Sequence, residues 1–363
     1  MVFGATGYTG RLTADALVRR GQRPVLAGRD SERLAELAGG LGGDLEVVLA
    51  DASRAATIQA VLGRGDVLVA TVGPFVWWGE AAAEAAVRAG AHYLDCTGEP
   101  PFIRRVFEYY GPLGEVAGCG MLTSFGYDWV PGNLAGGLAL REAGPSAVRV
   151  DTGYFITGGS SAGGMSGGTR ASLVGVVAAP SFGWRGGALR TERAAARYRS
   201  FWVRGERRGA VSVGSSEHFA LPRLQPALRE VNSYLGWFGR LSRGLQAVSV
   251  LGSAAFRVPA VERLYGAATG RLVKGSSGGP GAAERARTGS HIVGMAYDDA
   301  GTQLAEVHLS GVDGYSFTSE ILAWGAERAA AGDLKGEGAL GPVDGLGLDE
   351  LEAGCVEAGI GRV

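Results

Sequence analysis

The chain opens on the residues whose spacing most directly suggests chemistry: Met1-Val2-Phe3-Gly4-Ala5-Thr6-Gly7-Tyr8-Thr9-Gly10. An apolar strand end runs into Gly-x-x-Gly-x-x-Gly, and a helix-forming stretch follows from Arg11 to Arg20. A phosphate-binding turn needs that order. Gly4 permits a sharp turn at the strand end, Gly7 lets the backbone approach a pyrophosphate, and Gly10 lets the helix pack on the strand. The N–H groups at the helix start, around Thr6, Tyr8 and Thr9, then face the anion. In a chain with 63 glycines the triplet alone says little. The strand before it, the helix after it and a second strand at the right distance give it meaning.

That second strand is Pro24–Arg29. The residue at its exit meets the adenosine ribose in a dinucleotide fold, where an acid suits NAD. Here the exit is Gly28-Arg29, and an arginine suits the 2′-phosphate of NADP through charge-assisted bonds. NADPH is therefore the expected cofactor; the competing reading of Arg29 is a solvated surface charge. Asp30 is expected to cap a helix starting at Ser31. Leu45–Asp51 is the third strand, and Asp51 either accepts from an adenine amino group or caps the helix after Ser53. Asp66–Val72 is the fourth strand. Val72, Gly73, Pro74 and Phe75 end it, at the place expected for the cofactor's ribose and nicotinamide, because ligands of open α/β sheets lie beyond the carboxyl ends of the strands. Tyr127 and Asp128 fall where substrate and nicotinamide should meet. A Tyr hydroxyl could donate a proton, and a carboxyl could donate or polarise. Alternatively Tyr127 packs and Asp128 bonds loop amides.

The elements that must hold these residues alternate. A helix over Glu80–Ala89 ends at Gly90, a fifth strand covers His92–Thr97, and a helix covers Phe102–Tyr110. A sixth strand, Gly118–Phe125, exits into Gly126–Gly132. Short apolar strands alternating with helices predict an α/β Rossmann domain on a doubly wound parallel sheet, over residues 1–135. Beyond Ala139 the pattern changes. Ser146–Ile156 alternates like a half-buried strand, a Gly/Ser loop spans Thr157–Gly168, and Thr169–Val177 is expected to be helical. Thr169 and Arg170 at that helix start either meet an anion or form an ordinary cap. Strands are expected over Tyr198–Val203, Gly209–Phe219, Ser290–Tyr297 and Gln303–Ser310, with helices over Ser316–Ala331 and Leu348–Ala358. A second α/β domain with a mostly antiparallel sheet is thus expected over 136–331, and a tail with a helix over 332–363, packing back on the first domain. Residues Tyr234–Gly270 suit either packed helices or a flap over a hydrophobic site or lipid surface.

Composition narrows the classes. A chain of 363 residues suits two domains. Its net charge of −1 provides no general field for nucleic acid or an anionic membrane. Three dispersed cysteines indicate a reducing, cytoplasmic setting without a disulfide framework. A working turn at Gly4–Gly10 argues against a signal peptide there. His92, His218, His291 and His308 have no metal-ligand spacing, so no metal is expected. Tyr-x-x-x-Lys and Walker patterns are absent. Hydride transfer remains the natural chemistry of a lone nucleotide signature.

Gly4–Gly10, Ala27-Gly28-Arg29, Gly73-Pro74-Phe75, Tyr93–Glu99 and Phe125–Gly132 occur in that order. Together they resemble the saccharopine dehydrogenase-like oxidoreductases, which include saccharopine reductases and trans-acting enoyl reductases of bacterial lipid assembly. The resemblance is good over about the first 135 residues and looser beyond. The chain begins just before Gly4, which leaves the first strand short and open to an upstream segment. The resemblance implies a Rossmann domain, a second α/β domain and a homodimer. It places Thr97, Gly98, Glu99, Thr169 and Arg170 around the substrate. The expected activity is NADPH-dependent reduction of an activated C=C, C=N or C=O in a small-molecule or carrier-bound substrate, bulky or hydrophobic, with peripheral lipid contact if Tyr234–Gly270 is a surface. The alternatives are a saccharopine reductase and a non-catalytic NADPH-binding protein.

Overall fold

The computed structural model of the chain describes residues 1–158, 180–237, 244, 246 and 278–363. The chain divides into two compact units. One comprises residues 1–97, 102–130 and 314–359, the other 98–101, 131–313 and 360–363.

The first unit is built on seven parallel strands. They are β1 (Val2–Phe3), β2 (Leu26–Gly28), β3 (Val47–Leu49), β4 (Val67–Ala70), β5 (His92–Asp95), β6 (Gly120–Leu122) and, from the end of the chain, β15 (Gly338–Leu340). Their order is β15-β6-β5-β4-β1-β2-β3. Val2, Phe3, Leu26, Ala27, Leu68 and Val69 are all buried, as strands covered on both faces must be. Among the covering helices are α1 (Tyr8–Arg19), α2 (Ser31–Gly40) and α4 (Phe75–Ala89), the last separated from α2 by the short α3 (Ala55–Gln59). Strand order reverses between β1 and β4, and a crevice opens at such a switch point.

Several expectations are corrected. The helix after β4 begins at Phe75 rather than Glu80, because Pro74 leads directly into it. Phe102–Tyr110 is not one helix. Helix α5 (Pro100–Arg105) passes through a wider π turn at Val106–Tyr110 into α6 (Gly111–Ala117). The helix expected over 316–331 in the second domain is α10 (Gly314–Ala330), and it belongs to the first unit. Its apolar stripe explains why: Phe317, Ile321 and Leu322 are fully buried there, and Trp324 stacks on Phe125 at 6.4 Å. Tyr315 meets Tyr8 of α1 edge-on at 5.1 Å, and Arg19 pairs with Glu320 at 2.6 Å. The chain then adds β15, α11 (Pro342–Leu346) and α12 (Leu348–Glu357) to this unit.

The second unit carries a mixed, mostly antiparallel sheet. Its strands are β7 (Arg149–Gly158), β8 (Ser181–Arg185), β9 (Ala188–Glu192), β10 (Tyr198–Val203), β11 (Glu206–Val213), β12 (Glu230–Leu235), β13 (Thr288–Tyr297), β14 (Gln303–Gly311) and β16 (Ile360–Arg362). The main path is β10-β11-β12-β7-β13-β14-β16, with the β8–β9 hairpin attached at β12. Among the described residues of this unit, only β7 and β12 pair in parallel. Phe155, Phe201, Val203, Ala210, Tyr234 and Val293 form a buried cluster. Helix α7 (Val130–Ala143) approaches Val150 and Thr152 of β7 at Gly136. The strand expected over Gly209–Phe219 stops at Val213. Helix α8 (Glu217–Leu224) follows, so His218 is a buried helical residue, and the short helix α9 (Ala282–Arg285) precedes β13. Tyr234 and Leu235 are the end of β12 rather than the start of a helical flap. Apart from Gly236, Trp237, Gly244 and Gln246, the rest of Tyr234–Gly270 lies outside the described residues, as do Thr169, Arg170 and the helix expected over 169–177.

Among the described residues no helix is long and apolar enough to cross a membrane.

Candidate cofactor and substrate site

Within the first unit, parallel strands bring most of the singled-out residues to one edge. Gly4 follows β1, Arg29 follows β2, Asp51 lies just beyond β3, Gly73 follows β4, Thr97 lies just beyond β5, and Tyr127 and Asp128 lie in the turn after β6. The seven are spread over about 120 residues of sequence.

The turn after β1 is tight. Gly4 has φ +84°, and a Cβ there would lie 2.7 Å from Val72 Cγ2. Gly4 N–H donates to Ala27 O at 2.9 Å, and Gly7 N–H to Gly4 O at 2.9 Å. A Cβ on Gly10 would collide with Gly4 O, so close packing of α1 on the turn requires glycine there. Gly7 precedes α1 and offers no side chain to cap it. A helix start leaves N–H groups without intrahelical partners, and such a start favours an anion. Thr6 and Thr9 are half-buried, whereas the Tyr8 ring is buried against Tyr315. The Thr71 hydroxyl donates to Phe3 O at 3.0 Å, tying the end of β4 to the end of β1.

Arg29 is exposed. Asp30 caps α2, accepting from Arg33 N–H at 3.1 Å. Arg33 then turns its guanidinium toward the glycine turn, 3.5 Å from Thr6 O. The sequence reading missed it; an arginine four residues past Arg29, in the first turn of α2, was the available signal. Asp51 Oδ1 accepts from Ser53 N–H at 2.9 Å. Its pKa is lowered first by bonds from Ser53 and then by the charges of Arg29 and Arg54. Asp51 therefore does not cap α3, whose N-cap is Arg54 with no side-chain bond; it accepts instead from Ser53 in the turn that precedes the helix.

At the other side of the switch point the Gly73–Pro74 peptide is cis. The Phe75 ring is buried, 5.6 Å from Phe102, so its side chain belongs to the core while the backbone around it lies at the edge. Immediately after it, Val76, Trp77 and Trp78 expose about 40% of their surface each, three partly exposed apolar side chains on the first turn of α4.

Beyond β5, Thr97 is buried. Asp95, which the sequence reading passed over, is wholly buried. Its Oδ1 accepts from Thr97 N–H at 2.8 Å and Ser124 N–H at 2.9 Å, and its Oδ2 from the Thr123 hydroxyl at 2.8 Å. Burial pushes its pKa up to about 6 against these bonds. A lone acid inside an apolar strand was the signal for it. After β6, Tyr127 is buried, its ring 6.4 Å from Phe317, and its N–H donates to the Thr318 hydroxyl at 3.0 Å. Asp128 is half-exposed, and its peptide to Trp129 is cis. Gly98 and Glu99 group with the second unit, Glu99 being buried. No cluster of metal-ligating side chains occurs among the described residues.

Residues 1–109 match the saccharopine dehydrogenase NADP binding domain family. A Mycobacterium tuberculosis (strain ATCC 25618 / H37Rv) protein provisionally named a trans-acting enoyl reductase is 36% identical over 189 residues, covering 50% of this chain and 44% of its own length. The trans-acting enoyl reductase of Mycobacterium leprae (strain TN) is 37% identical over 139 residues, covering 37% of this chain and 33% of its own. The chain thus spans less than half the length of these relatives in the matched region. Among solved structures, apo saccharopine dehydrogenase (L-Glu forming) from Saccharomyces cerevisiae aligns over 97% of this chain and 95% of its own, with a TM-score of 0.58 at 13% identity. The fold is shared.

Proposed function

From the premise that residues 1–109 belong to the saccharopine dehydrogenase NADP binding domain family, we propose that the protein is an NADPH-dependent reductase acting on an activated double bond, most simply the C=C of a 2-enoyl thioester. The observation that carries the reading is the turn from β1 into α1. It leaves an uncapped helix start beside a switch point, the arrangement that holds a pyrophosphate.

The pyrophosphate would sit on the turn Gly4–Gly10, and the 2′-phosphate against Arg29 and Arg33. The ribose and nicotinamide would lie along Val72-Gly73-Pro74 toward Thr97. The bound cofactor supplies the hydride. The protein orients the acceptor, excludes water and supplies a proton to the carbon that does not receive the hydride. Asp128 is the better group for that proton. It is half-exposed, whereas the Tyr127 ring is packed against Phe317. Gly98 and Glu99, and Thr169 and Arg170, belong to the substrate side of this proposal.

The names of the mycobacterial relatives favour C=C reduction and a carrier-bound or small-molecule substrate. Support for a hydrophobic one now comes from Val76, Trp77 and Trp78 beside the β4 exit, in place of Tyr234–Gly270. Dimerisation, lipid contact and a cytoplasmic setting complete the proposal.

The test is NADPH oxidation by the purified protein with 2-enoyl thioesters of increasing chain length, on coenzyme A and on acyl carrier protein. The expected result is turnover that rises with chain length and falls at least fivefold for long chains, but not short ones, in Trp77→Ser/Trp78→Ser, since each lost apolar contact area weakens long-chain binding. Consumption of NADPH with an imine or ketone substrate and none with enoyl thioesters would reject C=C reduction.

A further inference from the structure

Asp95 is a charged side chain with no exposure, placed where two loops of the candidate site leave the sheet. Its hydrogen bonds reach in both directions. The Thr97 amide lies on the loop after β5, and the Ser124 amide and Thr123 hydroxyl lie on the turn after β6. The main chain adds a further tie, Phe125 N–H donating to Asp95 O at 2.6 Å. Ser124 holds φ +60°, a left-handed conformation that non-glycine residues adopt only when their surroundings impose it. Ser124 O in turn accepts from Trp129 N–H at 2.9 Å, closing the turn that carries Tyr127 and Asp128. One carboxylate therefore organises every described substrate-side residue of the first unit: Thr97 on one side, Tyr127 and Asp128 on the other.

We propose that Asp95 is a positioning residue whose charge clasps the loop after β5 to the turn after β6, and that neutralising it relaxes the two together. Acceptor bonds to a carboxylate are stronger than those to a neutral group. The amides of Thr97 and Ser124 and the Thr123 hydroxyl all donate to the carboxylate, the set an ionised acid accepts without rearrangement. A protonated Asp95 must turn one oxygen from acceptor to donor, and the Thr123 hydroxyl must reverse to receive it.

The groups around Asp95 leave the titration to it. Tyr93, on its own strand, is a buried phenol pushed well above its ordinary range by burial and by Asp95 itself. Cys96 follows that strand, Thr123 and Ser124 bring neutral hydroxyls, and α10 brings Thr318 near Cys96 and Gly126. Burial, the largest influence on Asp95, acts against bonds from Ser124, Thr97, Thr123 and Tyr93. The clasp should therefore loosen as pH falls through about 6.

The proposal deepens the reductase reading for its kinetic arm only. The structural arm follows the Thr97 and Ser124 amides by NMR on protein labelled with nitrogen-15 threonine and serine, from pH 4.5 to 8. In the wild type both amides should shift together with a midpoint near 6. In Asp95→Asn, whose donor and acceptor layout copies the neutral acid, neither should titrate. Thr123→Val removes one donor to the carboxylate and should raise the common midpoint by about one unit. That variant also serves as the test should Asp95→Asn not fold. The kinetic arm measures NADPH oxidation with a long-chain 2-enoyl-CoA over the same range. Wild-type turnover should fall with the amide midpoint, while Asp95→Asn should run at the acid-plateau rate at every pH. Amides that do not titrate in the wild type, or titrate unchanged in Asp95→Asn or Thr123→Val, overturn the clasp. Titrating amides with the same turnover profile in Asp95→Asn overturn the positioning role. Titrating amides in a protein that turns over no enoyl substrate leave the clasp standing and remove the reductase reading instead.

Discussion

Arg29→Ala should weaken NADPH about tenfold and leave NADH within twofold. Arg29 stands exposed at the exit of β2, and a charge-assisted hydrogen bond contributes roughly 1.5–3 kcal/mol. Two features place the effect at the low end. The site is open to solvent, which screens the interaction, and Arg33, 3.5 Å from Thr6 O, remains to hold part of the phosphate charge. About 1.5 kcal/mol corresponds to the tenfold change. Asp51 sharpens the contrast. Arg29 is one of the charges that hold its carboxyl ionised, so removing Arg29 leaves a carboxylate nearer to an unneutralised phosphate. The double variant Arg29→Ala/Arg33→Ala should lose more than either alone, and its NADPH affinity should depend less on salt. Titration calorimetry with NADPH and NADH on the wild type and each variant, at two salt concentrations, measures these constants. Equal wild-type affinities for the two cofactors, or an equal loss of both in Arg29→Ala, would refute the assignment of the 2′-phosphate to this strand exit.

Three further outcomes are expected. In Gly7→Val a branched side chain enters where the pyrophosphate approaches the backbone, with its Cβ 3.1 Å from Gly4 O; NADPH binding should disappear while circular dichroism keeps the native spectrum. Glu217 is wholly buried, receives the Tyr154 hydroxyl at 2.7 Å, and is raised by burial from 4.5 to about 7. Native protein therefore keeps a proton that the unfolded chain releases, so the stability it contributes is present below about pH 4.5 and lost as pH rises through about 7, a change of roughly 3 kcal/mol. Glu217→Gln should gain about that much on the wild type between pH 4 and pH 8 in urea denaturation; parallel pH curves would contradict it. Hydrogen exchange should show Tyr234 and Leu235 protected with or without ligand, as strand residues, and a flap at Tyr234–Gly270 requires the peptides beyond Trp237 to slow only when NADPH and a long-chain acyl ligand are both present.

The parallel sheet was legible because its strands are short and apolar, and all but the edge strand β3 are largely buried. Asp66–Val72 could hardly be anything else, and the glycine turn announced the helix that follows it. Asp30 was legible as a cap because its bond is local. Long-range pairing was not. Phe317, Ile321 and Trp324 gave a helix correctly, but a stripe does not say which sheet it covers, and the chain returns to the first unit at Gly314 after a long excursion into the second. The β8–β9 hairpin turns on Gly186-Gly187, both at positive φ, a signal lost among so many glycines. The strand expected through Phe219 failed where Ser215-Ser216-Glu217 starts a helix, because apolar residues on either side suit both periods. Asp95 stood out only as a lone acid in an apolar strand: its importance lies in the Thr123 hydroxyl and the Ser124 amide that the fold brings to it, and no local pattern encodes that meeting.

The central claim is hydride transfer from NADPH to an activated double bond, and isotopic transfer tests it most directly. The protein is incubated with NADPH carrying deuterium at the transferable position of nicotinamide C4 and a long-chain 2-enoyl thioester, in ordinary water. The recovered thioester is then weighed by mass spectrometry. The account predicts a saturated product one mass unit heavier than the product made with ordinary NADPH, the label on the β-carbon, and an unlabelled proton from water on the α-carbon. NADPH that binds but returns with its deuterium in place, beside an unreduced thioester, would contradict it.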